Sequence, residues 1–467
     1  MGAIPYRFNR SFLLGNHNAF PSPKSQGAKA LNVWILRLWL KYSTSLITNP
    51  QIFLNAIFSP HFPNIIVSKL EPKPLNTLDY PMTTDAKSSA ADLDLQHYYS
   101  MRDNSHKDLL AYAAKKSGRS VLAIQREFSQ MAKSDARLNM VEYIRTGLYD
   151  LDRYTPEQRA EFLSNDLHWP ITHTCNNKRW TAAAEDKALA GTLLQAGGVA
   201  VPESLAVIDT SARLYPGLTK IDTAEGLKTL LLANSDKQLF GKVTDGMVSF
   251  GAFRVEKADD THIHCTGHAP MTYADFLSDF VAGNAYIVQS VLGNHDGFAK
   301  YCSALATVRM VNLVRDADVY CPVAIIKMPQ GDNIADAFWR PGNLACSIDV
   351  DTGEIKTVAL RGVETEFLDD HPEVAGLMGL KLPCWDELRD INDRAARIFA
   401  PIRYQSTDIA ITPDGPVVVE LNYGGGFDLP QYASRRGMLT PEVRAFFEGC
   451  GYDFAARPKR KKLFGLI

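Results

Sequence analysis

No aspartate or glutamate precedes Glu71, although Arg7, Arg10, Lys24, Lys29, Arg37, Lys41 and Lys69 do. No apolar run approaches the ~18 residues that a membrane-spanning helix needs. The most apolar early stretch, Leu31 to Leu36, is cut off by Arg37 and Lys41. No Cys-x-x-Cys occurs. The seven cysteines, Cys175, Cys265, Cys302, Cys321, Cys346, Cys384 and Cys450, are scattered and odd in number. That excludes a disulfide framework and fits reduced thiols in a cytoplasmic setting. Charge of one sign is also missing: the formal net charge is -2, so nothing global recruits nucleic acid or an acidic membrane. There is no Gly-x-Ser-x-Gly elbow, no His-Glu-x-x-His and no dinucleotide fingerprint.

What is present is ordinary in bulk and specific in detail. The 467 residues are 46% hydrophobic and 22% charged, enough for two or three domains with their own cores. The acid-poor residues 1–81 read as an extension ahead of Met82-Thr83-Thr84-Asp85-Ala86-Lys87, which looks like a natural protein start. An organelle-targeting peptide and a membrane-surface segment are the other readings of such a composition. The extension is expected to be poorly packed and dispensable.

Residues 82–165 read as a helical N-terminal domain. Apolar residues recur at three- and four-residue spacings around Leu109 to Ala113 and Val121 to Ile124. Thr155-Pro156-Glu157-Gln158 is a helix start, with Thr as cap and Pro at the first helical position. From about Trp169 helices and strands alternate. A helix is expected over Ala182 to Gly197, a strand over Val199 to Val207, a helix over Thr223 to Leu232 and a strand around Leu239 to Lys242. The fold class is α+β. Residues 451–467 form a basic tail, with Arg457 to Lys462 read as a solvated end.

The segment from Asp408 to Asn422 reads as a β-hairpin, with Pro413-Asp414-Gly415 as its turn. Glu420 and Asn422 are two apart on a strand and share a face, and the hairpin brings Asp408 close to them. Two carboxylates and an amide oxygen make an all-oxygen set, which is what hard Mg²⁺ prefers. Asp, Glu and Asn are depleted in strands, so three of them in an otherwise apolar hairpin ask for a reason. Arg309, within an apolar strand from Thr307 to Leu313, needs an anion: a phosphate, or an internal salt bridge. His262, His264, Cys265 and His268 match no zinc spacing and read as surface hairpin residues.

The chain resembles ATP-grasp enzymes, in particular the sugar-transfer-associated branch. The resemblance is carried by Phe240 to Gly251, Ala306 to Arg309, Phe338 to Asn343 with Leu344, His371-Pro372, Leu382 to Trp385, Asp408-Ile409-Ala410 and Glu420-Leu421-Asn422. It runs in order through the C-terminal two thirds and implies an ATP-grasp domain over residues 166–450, two α+β lobes clasping ATP. It also implies roles. Asp408, Glu420 and Asn422 would hold Mg²⁺. Lys242 would face the nucleotide phosphates from a glycine loop containing Gly246, Ser249 and Gly251. Val243 stands where relatives have Pro. Lys187, in Asp186-Lys187 ahead of Gly197 and Val201-Pro202, would reach the phosphates too. Tyr286 to Leu292 would be the hinge beside adenine, with Gln289, Val291 and Leu292 at the base and Gln289 where Glu is common. Lys327 would join the nucleotide site, with Arg309 and Lys242 as the catalytic cations. Arg340, Asn343 and His371 are secondary candidates for the substrate.

The implied activity is an ATP-dependent ligase. It would join a carboxylate, free or linked to a peptide or glycan, to an amine or thiol through an acyl phosphate. A kinase of a sugar or glycan hydroxyl and a non-catalytic nucleotide-binding scaffold are the alternatives. Tyr423-Gly424-Gly425-Gly426-Phe427-Asp428 replaces a proline-containing turn of relatives and would shape the acceptor pocket. The role of the helical domain, both substrates and the oligomeric state are not legible.

Overall fold

The alternation after Trp169 becomes two seven-stranded sheets in the computed structural model, which describes residues 88–100 and 104–456. The acid-poor extension through Met82, Trp34 and its neighbours, and the basic run from Arg457 lie outside the described residues. The first sheet contains β1 (Ser204–Ile208), β2 (Thr219–Ile221), β3 (Leu239–Val243), β4 (Phe253–Ala258), β5 (His262–Cys265), β6 (Met271–Thr272) and β7 (Tyr286–Ser290). Their spatial order is β2-β1-β7-β3-β4-β5-β6. The second contains β8 (Thr307–Val314), β9 (Val319–Met328), β10 (Leu344–Ile348), β11 (Val358–Leu360), β12 (Glu366–Leu368), β13 (Tyr404–Thr412) and β14 (Gly415–Asn422). Their order is β12-β11-β10-β9-β8-β13-β14. Among the described strands only β1 and β2 pair in parallel.

Each sheet has its own core. Phe253, Phe276, Tyr286 and Val288 anchor the first. The second is backed by the Trp385–Ile398 helix, which buries Trp385, Leu388, Ile391 and Ala395 against Val308, Ile326 and Ile409. Their three- and four-residue spacing makes one apolar stripe, the pattern that fixes a helix to a sheet.

The helical N-terminal stretch divides. Leu109, Ile124, Tyr143, Ile144 and Tyr149 form a cluster of their own. The Ala90–Ser100 helix instead lays Ala90 and Ala91 against the first sheet. Thr155 caps the Pro156–Ala160 helix in a capping box with Gln158, as its sequence requires.

Two expected elements differ. The helix over Ala182 to Gly197 is two helices, Lys178–Glu185 and Lys187–Ala196. Asp186 is extended between them and its carboxylate accepts from the Leu189 N–H at 2.9 Å. An N-cap carboxylate competes with helix continuation and starts a new helix instead. The strand expected over Val199 to Val207 begins only at Ser204, beyond Pro202, whose ring nitrogen has no hydrogen for a ladder.

Candidate active site between the two sheets

The β13–β14 hairpin builds the floor of the site. Thr412 pairs with Gly415, so the loop is only Pro413 and Asp414. Gly415 takes φ +110, which a Cβ would oppose. A regular ladder from that turn would set Val419, not Glu420, opposite Asp408. The register shifts by one between Asp408 and Ile409, so Asp408 faces Glu420 and Ser406 faces Asn422. The extra residue is Val419. This bulge turns Glu420 and Asn422 onto the Asp408 face. It also explains why Val418 and Leu421, three apart, are both buried in the core behind the sheet.

Cations surround the two carboxylates. Arg309, directly across β13 from Asp408, donates to its Oδ1 at 2.8 Å and Oδ2 at 2.7 Å. Lys327 donates to Asp408 Oδ2 at 3.0 Å and lies 3.0 Å from Asp336 Oδ2. Lys187 lies 3.1 Å from Glu420 Oε1 and donates to the Gly246 carbonyl at 2.6 Å. Lys242 donates to the Val419 carbonyl, freed by the bulge, at 3.2 Å.

Burial would raise the Asp408 carboxyl, but Arg309 and Lys327 outweigh it and hold the group well below the usual carboxylate range. Glu420 is likewise lowered against its burial by Lys187 and Lys242. Lys242 goes the other way. Burial pushes its ammonium down to about 8, although Glu420 pulls it up. Lys187, Lys242, Arg309 and Lys327 carry four positive charges against three negative ones on Asp336, Asp408 and Glu420. One positive charge is left over, and the site suits a polyanion bound with a dication.

Above the floor is a cleft of about 170 Å³ that opens to solvent. Lys242, Arg309, Lys327, Asp336, Asp408 and Glu420 line it together with the apolar Phe240, Val291, Leu292 and Leu305. Charged and apolar groups in one cleft are the combination a nucleotide needs.

Other sequence candidates fall into two groups. Ser249, Gln289, Val291 and Leu292 line the cleft. The Gln289 amide donates to Ser204 Oγ at 2.9 Å, and the Val291 N–H to the Gln238 carbonyl at 2.8 Å. Base recognition would thus fall to groups other than the Val291 N–H. The second group is not brought to the cleft. The Gly251 N–H donates to Asp94 Oδ2 at 2.9 Å. Arg340 reaches Asp94 at 3.3 Å and stacks over Trp339. Asn343 is fully buried and spends its amide within its own loop, on Gln330 N, Asn333, Ala335 O and Ala337 O. His371 Nε2 meets Gln330 Oε1 at 2.9 Å, and its Nδ1 accepts from Glu373 and Val374 N–H. The last two knit loops.

Sequence reasoning missed Asp336. It stands two residues before Phe338-Trp339-Arg340, and Lys327 and Thr307 both bond it. Nothing marks it in the sequence beyond a lone carboxylate next to a matched motif.

The donor set fits Mg²⁺ in its chemistry. Glu420 keeps lone pairs beyond its contact with Lys187. The Asn422 amide has its Nδ2 buried without a hydrogen-bond partner. Among the described residues no three His, Cys, Asp or Glu side chains gather as a metal cluster. The set here is two carboxylates and one amide. His262 and His264 share the less buried side of β5, with Ile263 and Cys265 turned into the core.

A family model described as sugar-transfer associated ATP-grasp matches residues 170–446. The chain belongs to the sugar-transfer-associated ATP-grasp family. Solved structures are similar to the chain at low identity and low TM-score. The D-alanine-D-alanine ligase from Coxiella burnetii is 16% identical, with a TM-score of 0.32 over 58% of this chain and 59% of that one. VanG D-Ala:D-Ser ligase from Enterococcus faecalis is 12% identical, with a TM-score of 0.33 over 62% and 66%. Biotin carboxylase from Campylobacter jejuni is 13% identical, with a TM-score of 0.36 over 65% and 54%. The chain thus spans less than two thirds of each. No curated protein sequence matches it. Among the described residues no helix is long and apolar enough to cross a membrane.

Proposed function

We propose that this protein is an ATP-dependent ligase that activates a carboxylate for attack by an amine or, less favourably, a thiol. The observation that carries the reading is the pairing of Asp408 with Glu420 on one face, inside a ring of Lys187, Lys242, Arg309 and Lys327. A carboxylate is a weak nucleophile toward a phosphoryl group, and the two repel. A site for that reaction must therefore supply fixed cations and position. It needs no side-chain nucleophile, and neither Cys nor His is among the described residues that line the cleft.

In this reading Asp408, Glu420 and Asn422 would hold Mg²⁺, which supplies charge neutralisation for phosphates when bound. Lys242 and Lys187 approach from the first sheet and from the start of a helix, and would meet the phosphates. Arg309, fixed by two hydrogen bonds, presents its remaining N–H groups to the transferring phosphoryl oxygens. Phe240, Val291 and Leu292 would cover the base, with Gln289 beside it. The product is an amide and the nucleotide leaves as ADP, with phosphate released in the second step.

The test is ADP release from the full chain with ATP and Mg²⁺, across carboxylates crossed with amines, followed by product mass. Release that requires both partners and yields an amide supports the ligase. A stable phosphoester would make it a kinase. ATP binding with no release across a broad panel would make it a scaffold.

A further inference from the structure

Arg145 and Arg361 are half-buried guanidinium groups with no carboxylate partner among the described residues. Arg145 ends the Met140–Arg145 helix, and its Nε is buried with no hydrogen-bond partner. Its guanidinium lies over the Tyr432 ring at 5.6 Å. Arg361 follows β11 and is half-buried. The backbone ties the two regions together, since the Thr365 N–H donates to the Arg145 carbonyl at 2.9 Å. Thr365 Oγ1 is also buried without a partner. Neither arginine forms an ion pair among the described residues.

The acids nearby are spent or do not reach. Glu364 serves Arg153 at 2.6 Å and Lys116 at 3.0 Å. Glu142 takes backbone N–H groups of Asn139 and Asn165 at 3.1 and 2.7 Å. Asp428 is close enough to favour the Arg361 charge but pairs with neither arginine. Burial, and then the Arg145 charge, depress Arg361 below the usual range for arginine. Two unpaired guanidinium groups near each other cost stability, because buried arginine is seldom unpaired and like charges repel. An oxyanion would relieve both costs through the planar fork of each group.

The place matters as much as the charge. Tyr432 sits on the Asp428–Ser434 helix, whose Leu429 lines the cleft and which follows the Gly424 to Gly426 loop. Tyr432 also packs in one cluster with Phe338, another cleft residue. Tyr98, another group near Arg361, packs on Phe250 of the glycine loop at 5.6 Å. Arg145 thus packs on the helix that lends Leu429 to the cleft, and connects it to the helical region.

We propose that Arg145 and Arg361 form an oxyanion-binding site for a carboxylate or phosphate group carried by the substrate. Resting on the ligase reading, this assigns a substrate class: molecules with a second anionic group besides the carboxylate to be activated. It also gives the helical region a role, because Arg145 lies outside the span matched by the family model.

The experiment titrates the full chain with inorganic phosphate and, separately, with succinate, following heat and melting temperature. ADP and Mg²⁺ are kept saturating so that the nucleotide cations are occupied. Wild type should bind one of the two anions and melt higher with it. Phosphate alone would identify the group as a phosphate, and succinate alone as a carboxylate. Arg361→Gln and Arg145→Gln should each lose about tenfold in anion affinity, the scale of a charged hydrogen bond. Without anion, both variants should be at least as stable as wild type, because a repulsion is removed. An arginine that served only packing would give the opposite, a lower melting temperature with the anion response intact. That result, or no anion response in wild type, overturns the site. The titration involves no turnover, so failure of the ligase reading would show separately as absent ADP release.

Discussion

The floor and the roof of the cleft are built on opposite terms. Every residue of β13 from Tyr404 to Thr412 is buried, and its polar side chains are mostly locked. Gln405 donates to Ala396 and Ile402 carbonyls at 3.0 and 2.9 Å, and Asp408 is held by two cations. The roof, Gly246 to Gly251, leaves Met247 and Val248 exposed at 58% and 48%. Val248 and Ser249 both adopt positive φ, 56 and 59, which L residues disfavour. Its contacts are mostly at its ends and at Phe250: Lys187 to the Gly246 carbonyl at 2.6 Å, Trp339 Nε1 to the Val248 carbonyl at 3.0 Å, Phe250 against Tyr98 and Trp339, and Gly251 N–H to Asp94. Rigid charge below and a lightly held loop above is what a site needs if phosphates enter from the roof side.

The sharpest way to break this contrast is to unpair the floor. Asp408→Ala should abolish turnover and cost about 3–5 kcal/mol, because Arg309 and Lys327 remain buried without their partner. Glu420→Ala should lose turnover by at least about 100-fold, with a far smaller stability loss, since Lys187 keeps the Gly246 carbonyl. Denaturant melts and ADP release check both. An Asp408→Ala protein as stable as wild type would show that the floor does not depend on its ion pairs.

Glu142 sharpens the same point from the helical region. It is a carboxylate buried without a cation, and burial raises it to about 7 against the N–H bonds it accepts. The folded value exceeds the unfolded one, so folding favours the protonated form. Its stability contribution is present at low pH and is lost as pH rises from about 4.5 to about 7. The loss is on the order of 3 kcal/mol. Glu142→Gln should flatten that part of the stability–pH curve, measured by denaturant melts between pH 4.5 and 8. An unchanged curve would assign the dependence elsewhere.

The smallest expected effect is in the roof. Val248→Gly removes a Cβ from a left-handed position and should stabilise the protein by about 1 kcal/mol or less, offset by the freedom glycine gains when unfolded. A melt at fixed pH reads it. A clear loss of stability would mean that the Val248 side chain holds the loop.

How much of this was legible depends on the residue. Asp408, Glu420 and the hairpin could be read because carboxylates in an apolar strand have no ordinary explanation. The bulge at Val419 could not. A two-residue turn and the residue count demand it, but only if the turn length is known. The α+β class followed from alternation. The break at Asp186 was hidden because Ala-rich sequence on both sides favours one helix, and only the cap at Leu189 N decides otherwise. Asn343 and His371 were chosen by motif position. The structure spends their polar atoms on neighbouring loops, a choice made by tertiary contacts that spacing does not encode. Arg145 and Arg361 are far apart in sequence, and only the fold makes them neighbours.

The most direct test of the contrast is hydrogen exchange of the full chain with and without ATP and Mg²⁺, comparing Gly246 to Gly251 with Tyr404 to Thr412. The floor should be strongly protected in both states. The glycine loop should exchange fast without nucleotide and slow markedly with it, as its N–H groups gain phosphate partners. Unchanged exchange in the loop at saturating nucleotide, or a floor that becomes protected only with nucleotide, would contradict the account.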